Sequence, residues 1–177
     1  MPLLENEHII LRAPEPEDLD LLYQWENNTE IWQVSNTLTP FSRHLLKKYL
    51  QNAHRDIFET RQLRLMISQK KPVATIGTID LFDYDPLNQR AGIGILIGNP
   101  NERNKGHASS SLNLLIDYTF DVLHMHQVYC HIMASNKKSI ELFKKHGFEY
   151  RGSKKEWVRS PEGWIDELFF QKINPHH

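Results

Sequence analysis

The stretch Asn99-Pro100-Asn101-Glu102-Arg103-Asn104-Lys105-Gly106-His107-Ala108 sits between two different periodicities. Upstream, Arg90 to Ile97 reads as an Ile-rich strand interrupted by Gly92 and Gly94. Glycines inside a strand mark a bulge or a close approach to the backbone. Downstream, Gly106 opens a long helix whose buried side carries Ala108, Leu112, Leu115, Ile116, Thr119, Phe120 and Leu123. Val128 to Met133 then reads as a strand. A strand, a polar turn, a helix and a second strand form a crossover unit, which joins parallel strands.

Outward from this unit the pattern is simpler. His8 to Leu11 reads as a first strand, and Pro14-Glu15-Pro16-Glu17-Asp18 opens a helix lined by Leu19, Leu22 and Tyr23, with Trp25 near its end. A second helix is expected from Ser42 to Phe58, capped by Ser42. Leu63 to Ser68 and Val73 to Phe82 form a hairpin around Lys70-Lys71-Pro72. Asn136 to His146 is a short helix stopped by Gly147, and Glu149 to Arg159 and Trp164 to Lys172 are strands joined at Ser160-Pro161-Glu162-Gly163. The order βααβββαβαββ implies an α/β (α+β) domain: a mixed sheet with helices on both faces.

The chain has 177 residues, enough for one domain spanning 1–177 with a sizeable core. Lys plus Arg is 21 and Asp plus Glu is 22, so no global field draws the protein onto nucleic acid or an anionic membrane. No apolar run is long enough for a membrane span, and the start has no signal-peptide pattern. A single cysteine, Cys130, excludes an intrachain disulfide framework and a Cys-rich zinc site. These features fit a cytoplasmic protein with no metal. The charge is unevenly spread. Met1 to Trp32 carries eight acidic residues against Arg12, and Asn136 to Arg159 carries eight basic residues against three acidic ones. Charged helix faces are by default solvated, and the sharper reading is that one end meets a cation and the other meets phosphates.

The turn at 103–108 has chemistry of its own. Unpaired amides and the positive dipole end at a helix N-terminus bind phosphate. Gly106 lets a ligand approach the backbone, Ala108 keeps the turn open, and Arg103 can add a charge-assisted contact. The spacing fits neither a P-loop nor a dinucleotide fingerprint.

Arg103-x-x-Gly106-x-Ala108 resembles the phosphate-loop motif of the GNAT superfamily of acetyl-CoA-dependent N-acetyltransferases, Arg/Gln-x-x-Gly-x-Gly/Ala. Asn136 to Phe148 is similar to a second signature, Asn-x-x-Ser/Ala-x-x-x-Tyr/Phe-x-x-x-Gly-Phe. Ile10-Leu11-Arg12-Ala13, with the acidic helix after it, resembles the branch that holds the spermidine and ribosomal-protein acetyltransferases. The resemblance covers nearly the whole chain. It implies the GNAT fold, with a twisted central sheet of about seven strands.

The resemblance also implies a site. Acetyl-CoA, the co-substrate, would lie between splayed strands, its arm paired to the backbone of Ile95, Leu96 and Ile97. Its pyrophosphate would rest on Arg103, Asn104, Lys105, Gly106, His107 and Ala108. Asn136 would touch the arm, and Lys144 an outer phosphate. A primary amine has a pKa near 10.4, so the acceptor must lose a proton before attacking the thioester, and a carboxylate can relay it. Asp80 and Asp83 are the catalytic candidates, and with Glu26 and Glu30 they are the candidates for an anionic acceptor pocket. A polyamine, spermidine or spermine, is the preferred acceptor; the alternatives are a protein N-terminal amine and a catalytically weak acyl-CoA-binding module. The branch leaves room for a homo-oligomer, a dimer or larger.

Two positions depart from the family pattern. Phe143 stands where many relatives have a tyrosine that protonates the departing thiolate, with Ser139 and Tyr150 as candidate substitutes. Gly92 stands where relatives often carry a glutamate. Trp25 and Trp32 are read as core or interface, and His131 and Cys130 as buried residues of a strand. His124, His126 and His131 form no recognisable metal set.

Overall fold

The computed structural model describes residues 3–176. By internal contacts the chain divides into two compact units, one made of residues up to Arg12 and from Ile57 onward, the other of Ala13–Asp56.

The larger unit is built on a seven-stranded mixed sheet: β1 (Ile9–Arg12), β2 (Leu63–Lys70), β3 (Val73–Asp85), β4 (Arg90–Ile97), β5 (Gln127–Met133), β6 (Glu149–Ser160) and β7 (Gly163–Ile173). The spatial order is β1-β2-β3-β4-β5-β7-β6. All neighbours pair antiparallel except β4 and β5, which run parallel, as a strand–helix–strand connection requires. The crossover is α5 (His107–Asp121), in the smaller-numbered company of α4 (Ile57–Thr60) and followed by α6 (Lys137–Lys145).

The core of this unit lies between the sheet and the two long helices. Leu112, Leu115, Ile116 and Phe120 of α5 and Phe143 of α6 are buried against Leu11, Ile67, Ile79, Ile93, Val128, Cys130, Ile132 and Phe170 of the strands. Each fully buried aliphatic or aromatic side chain contributes roughly 1.5–3 kcal/mol. Along β5, Val128, Cys130 and Ile132 face this core, so Tyr129 and His131 stand on the opposite face of the sheet.

The Ala13–Asp56 unit holds α1 (Leu19–Glu26), α2 (Thr29–Ser35) and α3 (Arg43–Gln51). A 3-10 turn, Pro16–Asp18, leads into α1, where Asp18 accepts from the Glu15 amide at 2.8 Å. Asn27 ties the unit together: its amide donates to the Tyr23 and Phe41 carbonyls, and its oxygen accepts from the Phe41 amide. Asn28 caps α2 and Ser42 caps α3.

Two helical expectations are corrected here. The helix expected over 42–58 ends at Gln51, because Asn52 takes a non-helical ψ of 2° and the chain turns through Ala53 and Arg55 before α4. The α2 helix was not anticipated. Its apolar side is only Ile31, Trp32 and Val34, too short for a periodic signal, and its start rests on the Asn28 cap.

Candidate functional site

The β4–β5 ladder lasts for three pairs: Arg90↔Gln127, Ala91↔Val128 and Gly92↔Tyr129. Beyond Gly92 the strands part, although β4 stays paired with β3 through Ile97. The backbone groups that face the resulting cleft follow from the antiparallel alternation. Gly98 donates to the Ile76 carbonyl at 2.9 Å, so Leu96 and Gly94 also turn their backbone groups toward β3. Ile95 and Ile97 turn theirs away from β3, past the point where the ladder to β5 has ended. One of them, the Ile97 carbonyl, accepts from Arg103 Nε at 3.1 Å. An extended polar chain laid against β4 at Ile95–Ile97 would find strand-like partners there.

At the far end of β4 the chain makes the turn that leads into α5. Asn104 and Gly106 both have left-handed backbones, with φ of 61° and 84°. A Cβ on Gly106 would meet nothing within 4 Å, so glycine is needed there for its conformation, and the space outside the turn is open. The first amide of α5 with a helical acceptor is that of Ser110, which donates to the Gly106 carbonyl at 3.0 Å. The His107, Ala108 and Ser109 amides therefore point out of the helix end without an intrahelical acceptor. Glu102 lies beside them and takes Lys105 Nζ at 3.1 Å and His107 Nε2 at 3.3 Å. The turn thus has free amides, an open face and Arg103 at its edge, a set that fits a pyrophosphate. Asn136 caps α6 by accepting from the Ser139 amide at 3.2 Å. Lys144 is exposed in the last turn of α6, where a cation suits the dipole.

The face of the sheet away from α5 carries the acidic residues and the aromatic ones. Asp80 is half-buried and accepts from Arg64 at both oxygens, at 2.7 and 3.0 Å. Both oxygens are thus committed to a cross-strand pair. Asp83 is exposed at a bulge where β3 leaves register between Phe82 and Asp85. Its φ is 49°, while the next residue, Tyr84, bonds to the Arg61 carbonyl instead of to β4. The bulge re-aims Asp83. Among the described residues its carboxylate has no hydrogen-bond or ion-pair partner.

Asp83 and Asp85 form one side of a pocket of about 510 Å³ that is also lined by Arg90, Gln127, Tyr129, His131, Phe169 and Gln171. Arg90 pairs with Asp85 at 3.3 Å, and hydrogen bonds from Asn88 hold the Asp85 carboxyl below its ordinary range. The rings form a wall. Tyr129 lies 5.6 Å from His131 and 5.7 Å from Phe169, and His131 lies 5.5 Å from Phe169. Burial, with Asp83 next in weight, pushes the Tyr129 hydroxyl upward. Phe82 extends the wall, 6.0 Å from Tyr129, and its ring lies over Gly92, where a Cβ would come within 2.3 Å of it. A glutamate at this position has no room while Phe82 holds that place.

His131 is not the buried strand residue expected. The side chain is 31% exposed and faces the pocket, with Nδ1 3.6 Å from Glu167 Oε1. From the sequence His131 reads as a core residue rather than a catalyst, and Glu167 is not singled out. The available signal was the alternation on β5, which puts His131 opposite the apolar Cys130 and Ile132. Cys130 is buried, and burial pushes its thiol up. Phe143 is buried in the core with its ring 5.0 Å from that of Phe148. Glu26 and Glu30 belong to the Ala13–Asp56 unit, Glu26 at the end of α1 and Glu30 exposed in the first turn of α2. Among the described residues no group of three His, Cys, Asp or Glu could hold a metal ion, and no helix is long and apolar enough to cross a membrane.

Comparison with known proteins adds to this geometry. Residues 8–149 match the family described as Acetyltransferase (GNAT) domain. An uncharacterized N-acetyltransferase p20 of Bacillus licheniformis is 30% identical over 174 residues, covering 98% of this chain and 97% of the relative. A spermidine N(1)-acetyltransferase of Vibrio cholerae is 27% identical over 147 residues, covering 83% of this chain and 82% of the relative. Among solved structures, spermidine N-acetyltransferase from Vibrio cholerae in complex with CoA and spermine superposes with a TM-score of 0.85 at 24% identity, over 95% of this chain and 96% of that one.

Proposed function

This chain belongs to the GNAT acetyltransferase family and is an N-acetyltransferase, and from that premise we propose that it moves an acetyl group from acetyl-CoA to a polyamine such as spermidine or spermine, by direct attack in a ternary complex. We read residues 1–177 as one acetyltransferase domain, since the family match at 8–149 runs through both compact units.

Acetyl-CoA supplies an activated acetyl thioester. The rest is work for this chain's residues. The amides of His107 and Ala108, the open turn at Asn104, Lys105 and Gly106, and Arg103 hold the pyrophosphate. Lys105, paired with Glu102 at 3.1 Å, adds a cation beside the turn. Ile95 and Ile97 offer backbone groups to the cofactor arm and an amide to the reacting carbonyl oxygen, where a donor is worth several kcal/mol to the transition state. Leu96 turns its backbone to β3 and contributes its place in the strand. Asn136 and Lys144 stand at the two ends of α6 for the arm and an outer phosphate.

The observation that carries the acceptor is the Asp83 carboxylate, unpartnered among the described residues, on the rim of a pocket walled by Tyr129, His131 and Phe169. A carboxylate and ring faces suit an ammonium group with an apolar linker. Asp80, on the same face of the sheet, is neutralised by its bidentate pair with Arg64 and leaves Asp83 as the carboxylate for the acceptor. The spermidine-acetylating relative supports the same acceptor.

The test is thiol release from acetyl-CoA with spermidine, beside N-terminal peptides and with no acceptor. Release should depend on spermidine, and Asp83→Asn should raise the KM for spermidine about tenfold, as loss of one charge-assisted contact predicts. Release with a peptide alone would refute the polyamine reading and favour a protein N-terminus. Acetyl-CoA binding without release for any amine would favour a binding module.

A further inference from the structure

We propose that His131 takes the proton from the attacking amine and that Glu167 positions its ring; this rests on reading the pocket as the acceptor site. The chain's own geometry leads to this residue. Pairing between β4 and β5 ends at Gly92↔Tyr129, and in that parallel register the next residue of β5 on the same face is His131, level with Gly94. His131 therefore stands where the strands begin to part, next to the first unpaired backbone groups of β4 at Ile95. It lines the pocket, and its ring is bracketed by Tyr129 and Phe169 at 5.6 and 5.5 Å.

Glu167 comes from β7, two residues from Phe169, the direct partner of His131. Its side chain is 14% exposed, and Oε1 lies 3.6 Å from His131 Nδ1. That is an electrostatic contact rather than a direct hydrogen bond. It favours the proton on Nδ1 and leaves the lone pair on Nε2. Lys154 of β6 lies 3.4 Å from the same Oε1 and is itself set over the Trp157 ring at 4.8 Å. The groups acting on the imidazole are thus Glu167, Lys154 and Asp83. Burial against the rings is the largest influence and pulls the imidazole below its ordinary range, so the ring is neutral at pH 7 and able to accept a proton. Asp80 does not compete for this role, since both its oxygens accept from Arg64.

The proton count closes. A protonated primary amine gives one proton to Nε2 of His131, which passes it to solvent. The nitrogen forms its bond to the acetyl carbon, and the carbon–sulfur bond breaks. The second nitrogen proton leaves with sulfur, giving thiol, amide and one released proton per turnover.

The test uses the full chain, with whichever amine of the panel gives thiol release. Wild type, His131→Gln and Glu167→Gln are compared in kcat and KM from pH 5.5 to 9.5, with acetyl-CoA affinity measured by calorimetry as the folding control. His131→Gln should lower kcat at pH 7 about a hundredfold, within the usual range for a general base. Its acetyl-CoA affinity should stay within twofold, the rising acid limb should disappear, and activity should partly return toward pH 9.5 as free amine becomes available. Added imidazole should restore activity to His131→Ala. Glu167→Gln should move the acid limb to lower pH, because the carboxylate favours the imidazolium. A His131→Gln enzyme with wild-type kcat and an unchanged profile would overturn the proposal. Turnover with a non-polyamine alone would overturn only the acceptor assignment, and absence of turnover with every amine would overturn both.

Discussion

Replacing Gly92 by alanine should destabilise the protein through one contact, and the size of the effect follows from the structure. A Cβ at this position comes within 2.3 Å of Phe82 Cε2 and Cζ. Gly92 lies in a regular stretch of β4 and is not among the residues with positive φ, so its backbone accepts alanine. The whole penalty is therefore the displacement of the Phe82 ring, which stands edge-on to Tyr129 at 6.0 Å. Forcing an extra methyl into a filled site costs about 1–3 kcal/mol. The restricted unfolded chain returns about 0.4–1 kcal/mol. The net expectation is a loss of about 1.5 kcal/mol, or roughly 3–6 °C in Tm for a chain of this size.

The assay is a double-mutant cycle followed by urea and thermal unfolding. Phe82→Ala alone should destabilise by lost packing. In that background Gly92→Ala should cost nothing or stabilise slightly, since the clash is gone. The coupling between the two sites should thus be about 1–2 kcal/mol, within the range for residues in contact. Equal costs for Gly92→Ala in both backgrounds, or no cost in the wild type, would refute the claim that Phe82 occupies the space above Gly92.

Two further outcomes are expected. Arg103→Ala should weaken acetyl-CoA binding about tenfold by calorimetry, with the effect shrinking at high salt, because one exposed guanidinium supplies one charge-assisted contact to phosphate. Burial also pulls His146 below its ordinary range, helped by Lys145 and Lys172, while its Nε2 lies 2.7 Å from Ser109 Oγ. With His131 shifted the same way, the unfolded chain binds more protons than the native one just below pH 6.5, so stability should fall as pH drops from about 6.5. His146→Gln should flatten that fall in urea midpoints taken between pH 7.5 and 5.5. Asp117, raised by burial, acts in the opposite sense.

The sheet was legible because its strands repeat at two residues and its turns carry glycine, proline and asparagine. Arg90–Ile97 lies at the very bounds read from the sequence, and the open turn into α5 was legible from Arg103, Gly106 and Ala108. What the sequence did not show depended on neighbours that are distant in it. Asp80 looked like a free carboxylate until the β2–β3 register put Arg64 directly opposite it. Asp83 could be picked out by type, but the bulge that turns it toward the pocket depends on Tyr84 bonding to Arg61. His131 was assigned to the core because a histidine within a strand is by default a satisfied core residue. The alternation Val128, Cys130, Ile132 covers only one face of that strand.

The two departures from the family pattern have different meanings. Phe143 is buried against Phe148 and needs no hydroxyl for its packing, so this position contributes stability. Gly92 is a departure on the pocket's own face. With glycine there, Phe82 moves over the strand and joins Tyr129, His131 and Phe169 in one aromatic wall. A carboxylate at Gly92 would stand at the centre of this wall. Here the carboxylates lie around it instead, Asp83 on β3 and Glu167 on β7, and the titratable group between them is an imidazole. Burial in an apolar wall disfavours the charged form of either group, raising a carboxyl and lowering an imidazole, and the lowered imidazole is left neutral with a free lone pair. With Phe82 over Gly92 no carboxylate fits at this position, and the base we propose in the aromatic pocket is the imidazole of His131.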